Sequence, residues 1–133
     1  LDVLENHTHS NRQVAAVGIG MGGSLAFEAA VTRTDLEAAV AFSGFPQRYF
    51  GRFEMARAPI CAFFGENEPY IGQSIINKLR AELHKSELAH EVHVMQTLGH
   101  ALFGDDLPPI QAQQSREVIK RTLFFLDKHL NGR

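Results

Sequence analysis

The hydrophobic positions of the chain fall into two alternating kinds of segment. Short and almost uninterrupted apolar runs of strand length occur four times, and longer segments with helical spacing separate and follow them. Because the runs are apolar at consecutive positions, and not only at every second one, they predict strands that are buried on both faces. The predicted strands are Val14–Ile19, Ala38–Phe42, Ile60–Phe64 and Val92–Met95.

The segments between and after these runs predict three helices, and residues 45–58 predict irregular structure. The first helix covers Gly22–Val31, and the other two are indicated by apolar residues three to four positions apart. The predicted apolar faces are Leu25, Ala26, Ala29 and Ala30 in the first helix, Ile71, Ile75, Ile76, Leu79 and Leu83 in the second, and Ile119, Leu123, Leu126 and Leu130 in the last. Since strands and helices alternate and each connection is long enough to cross over, the sequence predicts an α/β fold with a mostly parallel sheet and flanking helices.

Composition and charge limit the kinds of partner and environment that the chain is expected to have. A length of 133 residues, 44% of them apolar, suits a single domain. With 13 basic and 15 acidic residues, a net charge of −2 and no basic cluster, neither nucleic acid nor an anionic membrane is expected as a partner. The apolar stretch Ala15–Val31 is too short, and too interrupted by glycines, to span a bilayer. The single cysteine, Cys61, excludes an intrachain disulfide and favours a reducing compartment, so we expect a cytoplasmic protein.

The glycine-rich loop Gly18–Gly23 follows the first predicted strand, at the end of the sheet where function gathers in such folds. One interpretation is a dinucleotide-binding G-x-G-x-x-G turn, whose glycines let the backbone approach a pyrophosphate at the helix N terminus. That motif also needs an acid at the end of the next strand to hold the ribose hydroxyls. The second strand ends instead at Phe42, followed by Ser43.

The other interpretation is a nucleophile elbow of the form G-x-Nuc-x-G-G, with Gly18 and Gly22 flanking position 20. Small residues allow the tight strand-to-helix turn, and the backbone N–H of Met21 would face a developing oxyanion. Position 20, however, is glycine, which has no side chain with which to attack a substrate.

Two downstream loops favour the elbow. Gly65–Pro69 supplies acids after the third strand, and Gly99–Phe103 supplies a histidine after the fourth. The order nucleophile, acid, histidine is that of α/β-hydrolases. The chain therefore resembles the α/β-hydrolase superfamily, and most closely the dienelactone hydrolases, which have a G-x-C-x-G-G or G-x-S-x-G-G elbow, an acid loop like GENEP, a histidine loop like GHALFG and a final-helix segment like Arg121–Leu126.

The resemblance extends over nearly the whole chain, from a helix at Leu1–His9 that precedes the elbow to the C terminus. It implies that residues 1–133 form a single α/β-hydrolase-like domain equivalent to the C-terminal half of the family fold, with about four strands. The N-terminal strands would be absent, either because the chain is a fragment or because they were lost. The outer edge of the first strand would then be bare, and we expect self-association through it or a missing partner segment.

The resemblance also assigns roles. His100 is implied as the general base, and Glu68 as the acid that orients it, with Glu66 as the competing acid. Dienelactone hydrolases usually carry aspartate at the position of Glu68. Gly20 occupies the nucleophile position, Met21 the oxyanion-hole position, and no metal or organic cofactor is implied.

Other residues offer alternatives with simpler structural explanations. Ser24, Ser43 and Cys61 are conceivable substitute nucleophiles, but their positions predict a helix residue, a turn residue and a buried strand residue. The pairs His7-x-His9 and His90-x-x-His93 lack a third metal ligand at useful spacing. Alternating aromatic and arginine residues over 45–53 suggest a ligand lid, but a loop covering the edge of the core is the better explanation.

The expected function is therefore a dienelactone hydrolase-like, esterase-like activity on a small ester or lactone. Without a nucleophile the chain should be inactive, or very slow through a water activated by His100 and Glu68. The alternatives are a non-catalytic relative that binds a small ligand or a protein, and a dinucleotide-binding module.

Overall fold

A computed structural model describes residue 8 and residues 11–131. In that part of the chain four strands, β1 Ala15–Ile19, β2 Ala38–Phe42, β3 Ile60–Gly65 and β4 Glu91–Met95, alternate with three helices, α1 Met21–Thr32, α2 Gln73–His84 and α3 Pro109–Leu130. The strands form one parallel sheet in the order β1-β2-β3-β4, which confirms the predicted α/β fold. The helix expected at Leu1–His9 lies outside the described residues.

The two central strands explain why the apolar runs are continuous. Every residue of β2 and β3 is buried, because each strand has a neighbour on both sides and helices above and below. Their register pairs Phe42 with Phe63, so the carboxyl ends of the strands meet at one edge of the sheet. The loops that carry the predicted functional residues therefore leave the sheet side by side.

Two hydrophobic layers enclose the sheet. One contains α1 and α2 and is built around Phe27, Phe64 and Leu79. The other contains α3, whose Phe125 packs with Phe63. Adjacent residues of β3 enter opposite layers because side chains alternate across a strand. None of the described helices is long and apolar enough to cross a membrane.

Burial of β1 on both faces was predicted, and this prediction is wrong. Val17 is 52% and Ile19 64% exposed. The physical reason is that β1 lies at an edge of the sheet, pairing only with β2 among the described strands, while α3, the helix on this face, packs over β2 and β3. Two apolar side chains on a sheet edge are uncommon in monomeric proteins, which usually protect such edges with charges or a covering segment.

The apolar faces of two helices also differ from prediction. In α3 the structure buries the stripe through Val118 and Phe125, whereas Ile119 and Leu123 are 47% and 63% exposed. The helix carries two adjacent apolar stripes, and helical periodicity alone does not say which one faces the sheet. In α1 Leu25 is likewise exposed, and Phe27 fills the core instead.

Candidate active site

The turn between β1 and α1 consists of a single residue, Gly20. Its backbone has φ +60° and ψ −118°, a conformation that residues with a side chain rarely adopt. Its N–H donates to the carbonyl oxygen of Phe42 at 2.8 Å, which ties the turn to the end of β2. A Cβ atom built on Gly20 would meet no atom within 4 Å. The tip of the turn therefore has room for a side chain, although the backbone there would be strained by one.

Close packing around the turn requires two of its other glycines. A Cβ on Gly18 would lie 2.0 Å from the carbonyl oxygen of Gly22, and a Cβ on Gly23 would lie 2.9 Å from the Cα of Gly44. Gly22 itself faces open space, so its small size is not required by a contact. Strand β1, helix α1 and the loop after β2 approach one another this closely because Gly18 and Gly23 lack side chains.

The N terminus of α1 is open to an anion. No side chain caps it, and its first turn contains no acidic residue. The first N–H groups of a helix have no acceptor within the helix, and the helix dipole makes this end partially positive. Met21, the first helical residue, has an 83% exposed side chain, so its contribution to a site would come from its backbone N–H.

The alternative nucleophiles have structural roles. Ser24 lies on α1, where its Oγ accepts the N–H of Phe45 at 3.0 Å and its own N–H donates to Gly20. Cys61 is fully buried in β3, and this burial raises the pKa of its thiol. The Oγ of Ser24 also donates to the carbonyl oxygen of Gly20 at 3.5 Å, so this hydroxyl is engaged in holding the turn, whereas Cys61 lies inside the sheet.

Glu68 and His100 come together as the sequence predicts. The Oε2 atom of Glu68 lies 2.5 Å from Nδ1 of His100, and its Oε1 accepts the backbone N–H of Tyr70 at 2.8 Å. The Glu68 side chain is 1% exposed, whereas Glu66 points into solvent. The longer side chain of glutamate is accommodated because the carboxylate folds back onto the backbone two residues further along.

A close approach of two loops makes this pair possible. A Cβ on Gly65, at the end of β3, would lie 2.2 Å from the carbonyl oxygen of Gly99. The N–H of Asn67 donates to the carbonyl oxygen of Leu98 at 2.8 Å, so the acid loop is hydrogen-bonded to the histidine loop. The glycine that ends β3 therefore allows the loop carrying Glu68 to lie against the loop carrying His100.

The imidazole of His100 is held on several sides and open on one. Its ring lies 5.7 Å from the ring of Phe45 and 5.2 Å from that of Tyr70, and one third of the side chain remains exposed. Since the carboxylate of Glu68 accepts from Nδ1–H, the tautomer assigned by this hydrogen bond leaves a lone pair on Nε2. Such an imidazole can accept a proton from a water or an alcohol.

A cavity of about 390 Å³ adjoins the turn. It is largely apolar and includes one guanidinium group, that of Arg48. Phe45 contributes both to this cavity and to the surroundings of His100, so the cavity and the imidazole share a wall. Its lining residues are Met21, Ser24, Leu25, Phe45, Gln47, Arg48 and Tyr49.

The aromatic segment 45–53 forms part of the core, as the simpler interpretation predicts. Tyr49 and Phe53 are buried in two short 3₁₀ turns and pack against the layer of α1 and α2. The same segment also lines the cavity, through Phe45, Gln47, Arg48 and Tyr49.

The two histidine pairs noted in the sequence can be compared with the structure only at His90 and His93, which do not share a site. His7 and His9 lie outside the described residues. His90 accepts the N–H of Ile60 at 2.9 Å through Nδ1, and His93 contacts Glu91 at 2.8 Å through Nε2, so the two imidazoles have different partners.

Strand register brings together another group that the sequence analysis missed. Ligand atoms of Cys61, Glu91 and His93 lie within 4.8 Å of one another, a set that could hold a metal ion. Arg121 opposes this use, because its Nη1 lies 3.2 Å from Nδ1 of His93 and its positive charge would repel a bound cation. The pairing of Cys61 with Glu91 was not visible before the register of β3 and β4 was known.

Sequence reasoning also missed a contact at the end of β2. Ser43 donates from Oγ to the backbone carbonyl oxygen of His100 at 2.6 Å. A serine directly after a buried strand is the only sequence signal for it, and such a serine more commonly serves the turn itself.

Comparisons with known proteins identify the family and the fold. A sequence model of the Dienelactone hydrolase family matches residues 1–130. A comparison with curated protein sequences finds no significant match.

Solved structures share the fold at low sequence identity. MGS-M1, an α/β-hydrolase from a Medee basin deep-sea metagenome library, superposes with a TM-score of 0.78 at 19% identity over 98% of this chain and 61% of that one. A dienelactone hydrolase-like promiscuous phosphotriesterase from metagenomic libraries gives 0.74 at 18% identity over 94% of this chain and 57% of that one. A puromycin-hydrolysing peptidase of Mycobacterium tuberculosis gives 0.73 at 14% over 87% and 22%. The chain thus spans less than two thirds of the length of each.

Proposed function

Because the chain belongs to the dienelactone hydrolase family, we propose that it is a hydrolase-type domain for small esters or lactones that keeps the acid and the histidine and lacks the nucleophile. The observation that carries this proposal is the 2.5 Å contact between buried Glu68 and His100. A glutamate buried to this degree needs a partner, and here the partner is an imidazole whose other nitrogen is free to act.

The residues support hydrolysis by water without a covalent intermediate. Nε2 of His100 takes a proton from a water whose oxygen attacks the carbonyl carbon, and Glu68 stabilises the resulting imidazolium. The N–H of Met21 faces the oxygen on which negative charge develops. The ester C–O bond then breaks, and the proton passes from His100 to the departing alkoxide. This route forgoes nucleophilic catalysis and is expected to be slow.

The cavity favours a second candidate function, binding without turnover. It adjoins both the turn and the wall of His100, and its mixture of apolar walls with a single guanidinium suits a small ligand with one polar group. Dinucleotide binding has less support, because β2 ends at Phe42 and Ser43 with no acid for the ribose.

Aryl-acetate hydrolysis by the unaltered chain, beside a His100→Ala variant, tests the proposal. We expect slow turnover without an initial burst of product, and its loss in the variant. Saturable binding of the ester with the same background rate in both proteins would instead favour the binding function. Circular dichroism of both proteins controls for folding.

A further inference from the structure

Ser43 has an unusual backbone for a residue with a side chain. It lies directly after β2, is 1% exposed and has φ +54°, in the left-handed region. Glycine adopts this conformation at least cost. Strained backbone at a buried serine is a reason to ask what the side chain does.

The contacts of Ser43 give an answer. Its N–H donates to the carbonyl oxygen of Phe63 at 2.8 Å, which continues the pairing of β2 with β3. Its Oγ donates to the carbonyl oxygen of His100 at 2.6 Å, across 57 positions of sequence. This short contact joins the end of a central strand to the histidine loop.

The residue before Ser43, Phe42, contacts the turn at Gly20. The carbonyl oxygen of Phe42 accepts the N–H of Gly20 at 2.8 Å. Two consecutive residues at the end of β2 therefore fix the tip of the turn and the backbone of the histidine. The distance between the tip of the turn and the backbone of His100 therefore depends on the end of β2.

We propose that Ser43 is a positioning residue for His100, an inference that rests on the proposed function. Its hydroxyl holds the histidine loop against β2, so that the imidazole keeps its position relative to the turn while Glu68 holds it at Nδ1. Glycine at this position would relieve the backbone strain but would leave the carbonyl of His100 without its donor. The need for that donor explains why a strained serine is kept.

Two variants separate positioning from turn formation. Ser43→Ala removes the hydroxyl and keeps the strain, whereas Ser43→Gly removes the hydroxyl and relieves it. The readout is the downfield proton NMR resonance of His100 Nδ1–H in its contact with Glu68, identified by its absence from His100→Ala. We expect both variants to remain folded by circular dichroism, to lose or broaden this resonance and to change its pH dependence.

Other outcomes overturn the inference in distinguishable ways. If both variants keep the parent resonance and its pH dependence, or if Ser43→Gly alone keeps them, Ser43 only forms the turn. If the parent itself lacks the resonance, the pair of Glu68 and His100 is not formed, and the proposed function fails together with the inference.

A kinetic readout completes the test in a Gly20→Ser background. There we expect Ser43→Gly to lower kcat roughly tenfold with little change in KM, because a displaced base slows the chemical step more than binding. An unchanged kcat would contradict the positioning role.

Discussion

The two halves of the site lie side by side at the carboxyl end of the sheet and differ in what they contain. The turn at Gly20 is a sharp strand-to-helix turn of the kind that a nucleophile elbow requires, and it carries no reactive side chain. The loops after β3 and β4 carry two functional side chains in contact, since Glu68 is hydrogen-bonded to His100. The halves also differ in support, since the elbow follows the exposed edge strand β1 and the acid loop follows the buried strand β3.

This difference shows that the shape of a site and its reactivity depend on different residues. The elbow keeps its shape through glycine contacts such as that between Gly18 and Gly22, which a change at position 20 does not touch. The acid–histidine pair is held by contacts between its two loops, such as the hydrogen bond from Asn67 to Leu98, and by the need of the buried carboxylate for donors. The predictions that follow test each half separately.

The largest effect on stability is expected from Gly18→Ala. The added Cβ would fall 2.0 Å from the Gly22 carbonyl oxygen, so β1 and α1 must separate. We expect a loss of about 3 kcal/mol in the free energy of unfolding, measured with urea. Gly22→Ala is the matched control, since that position faces open space and alanine favours the helix. Equal effects of the two changes would contradict the packing account of the elbow.

A smaller loss is expected from Glu68→Ala in the other half. It leaves the Nδ1–H of His100 and the N–H of Tyr70 without their acceptor, at a cost of about 2 kcal/mol. Exposed Glu66 supplies the control, because Glu66→Ala should change the free energy of unfolding by no more than about 0.5 kcal/mol. If Glu66→Ala costs more than Glu68→Ala, the acid has been assigned to the wrong residue.

The edge strand below the elbow should promote self-association. Val17 and Ile19 expose apolar side chains on β1, which has no second partner strand in the part of the chain that the structure describes. We expect concentration-dependent association in light scattering, weakened by Ile19→Lys. Lysine in place of exposed Leu25, away from the strand, is the control and should leave association unchanged. A monodisperse monomer at all concentrations would contradict this expectation.

The smallest expected effect concerns the pH dependence of stability. It defines the pH range over which the variants of the two halves should be compared. Burial lowers the pKa of His90 from 6.5 to about 4, so this imidazole is neutral in the folded chain while it accepts the N–H of Ile60. Above pH 6.5 it is neutral in both states and has no effect on the pH dependence. As pH falls from 6.5 towards 4 the unfolded chain binds the proton first, and stability falls. His90→Asn should flatten this part of the stability profile, measured by urea unfolding between pH 4 and pH 7, and an unchanged profile would contradict the account.

Some features were predictable from sequence because they depend on local chemistry. The strands, the helices and the loops with Glu68 and His100 follow from apolar runs, spacing and chain order, which local residues determine. The exposure of Ile19 and the stripe that α3 buries depend on neighbours across the sheet, and a periodic pattern does not identify them. The contact of Ser43 with His100 joins residues 57 positions apart. It also depends on the positive φ of Ser43, a conformation that the presence of a serine does not predict.

The measurement that tests the central claim most directly is aryl-acetate turnover by Gly20→Ser and Gly20→Cys. Gly20→Ala is the matched control, because it carries the same backbone strain, on the order of 1–3 kcal/mol, without a nucleophile. The account predicts that a folded serine or cysteine variant gains roughly 100-fold or more over the alanine variant, with a burst of product, and that adding His100→Ala abolishes the gain. Folded variants that stay as inactive as Gly20→Ala would contradict the claim that only the nucleophile is missing.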